Sequence, residues 1–419
     1  MKIIAIISEY NPFHNGHAYQ ISEVKKLFDD AKIISVMSGS FTQRGTPSLL
    51  DKWTKARLAI SGGCDLVLEL PFTSAVRSAQ DFARGAIRLI SKLGIVDAIS
   101  FGAETSDLNK LQDAAAVFDA KNFPAQIKAE MSKGISYAAA VTKILSDTTN
   151  IDENILRQPN NILALEYLRA LPKNIQPILI PRVGAGYNDL TLDEKFSSAT
   201  AIRQAVYEKN PSWENISKSI NKKVLAELQA AKFNGLPDEK FLLRPILTKI
   251  FTTSPENLRG IYGMREGLEY RLINAAKSAK TFDEFVNSIT GKRYPISRVK
   301  RLLLHLLMNL TEEKICELQD ADFVRVLAFN DVGKTLLKKI RATSSLPIVT
   351  KVTKHLNERQ LFDENILPYK KNLSLDILST DLRGILFDVP HIPRRDFTES
   401  TFSYKRAVTY GLCEENILF

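Results

Sequence analysis

The sequence predicts an α/β protein: a Rossmann-like, mostly parallel sheet covered by helices on both faces, followed by a mainly α-helical C-terminal region. Three observations carry that expectation. Short apolar runs alternate with helix-length amphipathic segments through roughly the first half of the chain, the pattern of repeated βα units. Beyond Asn210-Pro211 the periodicity turns helical with few strands. A length of 419 residues with 44% hydrophobic content allows a large core and two or three domains.

Element by element, the run Lys2-Ile-Ile-Ala-Ile-Ile7 predicts a strand over 2–7, and Ala18-Tyr19-Gln20-Ile21 sits in a helix over 16–29. Strands then follow at 32–37, 65–69, 96–101 and 175–181, each an apolar run bounded by turn residues. Helices are expected at 52–61, 75–93, from Ile162 to Ala170 after Asn160 and Asn161, and from Ser198 onward. In the second half, Lys222 to Lys232, Glu239 to Phe251, Ala321 to Phe329 and Val332 to Ala342 carry helical spacing, and Leu373 to Phe387 is amphipathic. The expected domains are 1–209 and 210–419, with a further subdivision near 346 left open. In such a sheet ligands gather at the carboxyl ends of the strands, where His14, Ser38, Gly39, Gly102 and Arg182 would meet.

Lys and Arg outnumber Asp and Glu by 57 to 47, a net charge of +10 that favours a polyanionic partner without choosing one. No apolar run reaches the ~20 residues of a membrane-spanning helix, and the N-terminus enters a strand directly, so a cytoplasmic protein without a membrane partner is expected. Cys64, Cys316 and Cys413 are too far apart for a zinc knuckle and odd in number, which reads as three reduced structural thiols. His305, His355 and His391 are isolated and read as structural.

The chemistry concentrates at Ser8-Glu-Tyr-Asn-Pro-Phe-His-Asn-Gly-His17. Two imidazoles at the opening of a helix share one face and suit phosphate oxygens, aided by the helix dipole and free backbone amides, with Gly16 allowing close approach. A second segment, Phe196-Ser-Ser-Ala-Thr-Ala-Ile-Arg203, offers hydroxyls at a helix start and a planar cation one turn later. Together these resemble the His-x-Gly-His nucleotidyltransferase superfamily, which attacks the α-phosphate of a nucleotide and expels pyrophosphate.

The segments Met37-Ser-Gly-Ser-Phe-Thr-Gln-Arg-Gly-Thr-Pro47, Asp51-Lys-Trp53, Gly63-Cys-Asp-Leu-Val-Leu-Glu-Leu-Pro71, Phe101-Gly-Ala-Glu104 and Gln158-Pro-Asn-Asn161 narrow the resemblance to the bacterial tRNA(Met) cytidine acetate ligase family. That resemblance implies ATP as substrate, with Mg2+ whose ligands it does not name, acetate activated as acetyl-adenylate, and acetylation of N4 of the wobble cytidine of elongator tRNA(Met). It implies catalytic roles for His14, His17 and Arg203. The implied ATP-binding set is Ile7, Ser8, Glu9, Tyr10, Asn11, Pro12, Phe13, His14, Asn15, Gly16, His17, Gly102, Asn160, Asn161, Arg182, Ser197, Ser198, Thr200 and Arg203. Ser38, Gly39, Gln43 and Arg44 form an expected substrate loop; Asn188 stands where the family pattern has His and is left out of the site.

In the helical half, Arg265, Arg271, Lys292, Arg293, Arg298, Lys300 and Arg301 mix with Tyr262, Tyr270 and Tyr294. Cations that hold phosphates beside rings that stack on unpaired bases suit a tRNA loop, and no DNA partner is expected. The rival for Arg298, Lys300 and Arg301 is a solvated helix face above the leucines of 302–306. For the whole protein two other readings stay open on the residues: an adenylyltransferase for a small phosphorylated cofactor precursor, and a non-catalytic RNA-binding protein on a nucleotide fold.

Overall fold

In the computed structural model, which describes residues 1–135, 137–182, 196–318 and 322–404, the first half builds five parallel strands. They are β1 (Ile3–Ser8), β2 (Lys32–Ser38), β3 (Leu66–Leu70), β4 (Ala98–Ala103) and β5 (Gln176–Pro181). Strand β1 pairs with β2 from Ile3↔Lys32 to Ser8↔Met37 and with β4 on its other side. The sheet order is β5-β4-β1-β2-β3, so the N-terminal strand is central and flanked on both edges.

Strand alternation sends its isoleucines to two separate cores. Ile3, Ala5, Ile34, Val36, Leu66 and Leu68 pack on one face, and Ile4, Ile6, Ile33, Met37 and Val67 on the other. A strand buried on both faces reads as a continuous apolar run, which is why these runs were recognisable as parallel strands.

Five helices of the first half position the site: α1 (Asn15–Leu27), α2 (Lys52–Ser61), α3 (Ala79–Lys92), α4 (Pro159–Ala170) and α5 (Ala199–Tyr207). The expected helix over 75–93 is broken: a short turn at Phe72–Ala75 precedes α3, which restarts on the Ser78 cap, whose hydroxyl accepts the Asp81 N–H. Helix α2 starts where expected because Asp51 caps it, accepting the Thr54 N–H at 2.8 Å.

One expectation fails in kind. Residues 324–330 are strand, not helix: β6 (Val324–Asn330) lies antiparallel to β3, pairing Glu69↔Arg325 and Leu66↔Phe329. Val324 and Val326 are β-branched and buried along with Leu327 and Ala328 on the opposite face, so both faces are apolar and helical spacing was mimicked. The sheet continues through β7 (Ile348–Val349) and β8 (Phe402–Tyr404), both paired to β6. The second half therefore completes the sheet of the first. Its remainder is helical, including α6 (Ile296–Leu307), α7 (Asp331–Thr343) and α8 (Pro368–Gly384).

Candidate active site

Helix α1 begins on His14, whose backbone is extended and whose ring serves as the cap. His14 Nδ1 accepts the Gly16 N–H at 3.0 Å, and His17 Nδ1 accepts the His14 N–H at 3.2 Å, a reciprocal capping box made of two imidazoles. The rings stack with centroids 3.8 Å apart. With Nδ1 of each ring occupied as an acceptor, the ring hydrogen belongs on Nε2, so each ring has an Nε2–H to offer the cleft it lines. Burial first, then the nearby Arg182 and Arg203, push His14 down to about 3. Burial and its neighbours His14 and Arg182 likewise hold His17 well below the ordinary imidazole value. Both rings are neutral donors at neutral pH.

The backbone amides expected to face phosphate are already used. Asn15 N–H donates to Ser219 O, Gly16 N–H to the His14 ring, and His17 N–H to His14 O. The reason for glycine at 16 is also different: a Cβ there would lie 2.8 Å from His14 Cε1, so the glycine makes room for the capping imidazole.

The cleft at the carboxyl edge of the sheet is about 480 Å³ and brings together Ile7, Ser8, Glu9, Tyr10, Asn11, His14, His17, Gly102, Asn160, Arg182, Ser198 and Arg203, with Gln43 and Arg44 from the loop after β2. Arg203 donates to Asn11 O at 2.7 Å and to Thr200 Oγ1 at 3.1 Å, which ties α5 to the turn after β1. Ser198 caps α5 through the Ala201 N–H. Gly102 leaves space beside Arg182, whose Cγ would be 3.4 Å from an added Cβ.

Other expected residues stand behind the cleft wall. Pro12 and Phe13 are buried, Phe13 against Tyr10 and His17. The Asn15 side chain turns to Lys218 O. Thr200 lies beneath Arg203, and Ser197 pairs with the Ser219 hydroxyl at 2.7 Å. Asn161 is fully buried; its Oδ1 accepts from Glu104 N and Thr105 N and its Nδ2 donates to Ile155 O, leaving no amide edge for an adenine. Helix α4 starts at Pro159, and Glu104 supplies its cap by accepting the Asn161 N–H. Ser38 and Gly39 are buried as well: their carbonyls accept from Lys55 Nζ at 2.9 Å, and a Cβ on Gly39 would fall 2.2 Å from Glu69 Oε1. Of the expected substrate loop, Gln43 and Arg44 reach the cleft.

Sequence reasoning missed several groups. Lys55 is buried among Glu9 O, Ser38 O, Gly39 O and Ser48 Oγ, and burial draws it down to about 7. Ser78, Phe82, Phe101 and Tyr167 line the cleft, as does Ser297 from α6 in the second half, and Arg301 of the same helix, expected among the tRNA-binding residues, lines it too. Ser297 and Arg301 are one turn apart on α6, a spacing visible in the sequence but without any sign of which cleft the face would meet.

The basic set divides. Arg265, Arg271, Lys292 and Arg293 are exposed. Arg265 meets Tyr294, whose hydroxyl donates to Arg265 O and beneath whose ring lies Arg298, while Arg271 donates to Ser288 O and Thr290 O. Arg293 pairs with Glu266. Lys300 instead pairs with Glu239 at 2.6 Å, and Arg301 donates to Gln43 O at the cleft. Tyr294 is buried and Tyr262 is held by Arg77, so of the three tyrosines Tyr270 is the exposed ring. His305 is buried against Val76 O, consistent with a structural role. Cys64 is buried and Cys316 exposed, both free; Cys413 and Asn188 lie outside the described residues.

No group of three or more His, Cys, Asp or Glu capable of holding a metal occurs among the described residues. Among the described residues the cleft lining carries four arginines and a single carboxylate, Glu9. A Mg2+ would therefore fit as an ion carried on triphosphate oxygens and water rather than in a protein cage.

A parallel sheet with paired imidazoles after its first strand and an arginine one turn into a later helix defines a nucleotidyltransferase, and the HIGH Nucleotidyl Transferase family model matches residues 1–395. A tRNA(Met) cytidine acetate ligase of Halothermothrix orenii is 36% identical over 95% of this chain and 98% of its own. Another, from Acetivibrio thermocellus, is 35% identical over 96% and 99%. The crystal structure of apo Thermotoga maritima TmcAL superposes with a TM-score of 0.87 at 29% identity, covering 97% of this chain and all of that one. The same protein bound with alpha-thio ATP gives 0.85 at 28%. The chain belongs to the tRNA(Met) cytidine acetate ligase family.

Proposed function

We propose that this protein joins acetate to ATP as acetyl-adenylate and then transfers the acetyl group to N4 of the wobble cytidine of elongator tRNA(Met), releasing AMP. The observation that carries the reading is the pair of neutral imidazoles, fixed as Nε2–H donors, in a cleft that also holds Arg182 and Arg203. Donors fixed in advance suit the charge that grows on the phosphates as pyrophosphate leaves. Acetate is already ionised at pH 7, so its attack on the α-phosphorus needs orientation rather than a base. Mg2+, where bound, neutralises triphosphate charge. Residues 1–209 carry adenylation and 210–419 hold tRNA, with the exposed basic cluster as the RNA-facing surface.

The partners are ATP, acetate and tRNA, with no role for DNA. No described helix is long and apolar enough to cross a membrane; a tRNA substrate sets the proposed activity in the cytoplasm. The test is product analysis with a panel of small carboxylates, with and without tRNA. AMP and pyrophosphate formed with acetate, and acetyl label appearing in RNA, are expected; a product that retains AMP would instead indicate transfer to a phosphorylated small molecule.

A further inference from the structure

Resting on that reading, we propose that Glu9 is the catalytic base of the second step: its carboxylate accepts the cytosine N4 amino hydrogen and takes the proton as N4 attacks the acetyl carbonyl. The sheet order divides the cleft at β1. Gly102, Asn160, Arg182, Ser198 and Arg203 come from β4, α4, the end of β5 and α5, on one side. Gln43, Arg44, Ser78, Ser297 and Arg301 come from beyond β2 and β3 and from α6, on the other. Glu9 follows β1 directly, at the divide, and its Oε1 accepts the Gln43 N–H at 2.6 Å, which turns the carboxylate toward the second side.

Its backbone is pinned, since Glu9 O accepts from the buried Lys55. Among the described residues its Oε2 has no hydrogen bond and Glu9 is the only carboxylate lining the cleft. An acidic side chain with one oxygen anchored and one left over matches the amino group of cytosine, whose base edge offers a hydrogen-bond donor at N4. Phe82 on α3 supplies an apolar wall on that second side for a flat ring taken out of its stack, and Arg44 and Arg301 lie where its phosphates would enter.

The atoms balance without another reactant. The N4–C bond forms, the carbon–oxygen bond to the adenylate phosphate breaks, AMP leaves with the electron pair on its phosphate oxygen, and the N4 proton goes to Glu9 and then to solvent. The exocyclic amine is conjugated with the ring and a weak nucleophile, so removing its proton during attack is where a positioned base contributes.

The experiment separates the half-reactions in the full-length protein: acetate-dependent ATP–pyrophosphate exchange without RNA, and single-turnover acetyl transfer to a tRNA transcript with a wobble cytidine. Glu9→Gln keeps an oxygen for the Gln43 N–H but cannot take a proton. Transfer is expected to fall by at least about 100-fold, far more than exchange, to which Glu9 contributes only as part of the cleft lining, and Glu9→Asp should recover part of the transfer rate. Equal loss of both half-reactions, relieved by raising Mg2+, would place Glu9 on the triphosphate cation and overturn the proposal. Wild-type transfer in Glu9→Gln would overturn it while leaving the acetate-ligase reading intact. A wild-type protein that exchanges pyrophosphate with no acetate dependence and acetylates no RNA would overturn both.

Discussion

At the scale of single residues, the proposed site rests on two histidines that spend one nitrogen on the backbone and leave the other free to face the cleft. Replacing His14 or His17 by Ala removes a preorganised donor, and adenylation is expected to fall about 100- to 1000-fold, the range for loss of one oxyanion donor. Affinity for tRNA should stay near wild type, measured by filter binding beside pyrophosphate exchange. Arg203→Lys keeps the charge but not the fork that spans Asn11 O and Thr200 Oγ1; turnover should drop with it. The depressed His14 also has a signature in stability. The unfolded ring takes a proton below about 6.5, whereas the folded one resists until about 3. Between those values the unfolded state binds more protons, so stability is full above the unfolded value and is lost as pH falls toward 3. At pH 5 this ring accounts for a loss of about 2 kcal/mol, and a His14→Gln variant should show a correspondingly flatter decline in urea midpoint from pH 7.5 to 5. The residue types of this site were legible because histidines flanking glycine have little packing value. Which atoms do the work was not, because the capping bonds that commit Nδ1 and the backbone amides exist only once α1 is folded.

At the scale of elements, the parallel strands were legible because runs such as Ile3 to Ile7 can be buried only between two layers of helix. Strand β6 was not, since Val324–Asn330 fits either period and its partner, β3, is more than two hundred residues away in sequence. What draws β6 to β3 includes charge as well as apolar burial. Lys52 on α2 reaches Glu69 on β3 at 3.0 Å and Asp396 at 2.8 Å, and Arg325 on β6 reaches Asp396 at 3.2 Å, all four side chains buried. Burial opposes the charge on Lys52, yet Asp396 and Glu69 raise it above the ordinary lysine value. Removing one member leaves the others uncompensated, so Lys52→Met is expected to destabilise the protein by about 3–5 kcal/mol in denaturant titration. Lys52→Met combined with Glu69→Gln should cost less than the sum of the two single changes, because the pair shares one interaction. Additive losses would mean that the two side chains are not coupled.

At the scale of the whole molecule, the two halves are joined at the cleft as well as through the sheet. The loop after β2 packs against α6 so closely that a Cβ on Gly45 would lie 2.7 Å from Arg301 N, and Gln43 bonds Glu9, Arg77 O and Arg301 at once. That junction takes Arg301 out of the surface cluster, and Lys300 is occupied with Glu239, so the proposed RNA-facing set contracts to Arg265, Arg271, Lys292, Arg293 and Arg298. Their clustering in sequence was legible; the split between surface and cleft was not, because it depends on which side of α6 meets the loop. If the exposed group neutralises tRNA phosphates, changing Arg265, Arg271, Lys292 and Arg293 together to Gln should weaken binding roughly uniformly across RNA sequences. It should also make the dependence of log affinity on log salt shallower by on the order of one unit per lost contact. Acetate-dependent pyrophosphate exchange without RNA, expected within about twofold of wild type, reports that the cleft has survived the four changes. Titrating tRNA at several salt concentrations decides the matter: an unchanged slope would make this cluster a solvated face and move the search for the RNA surface to the arginines of the cleft itself.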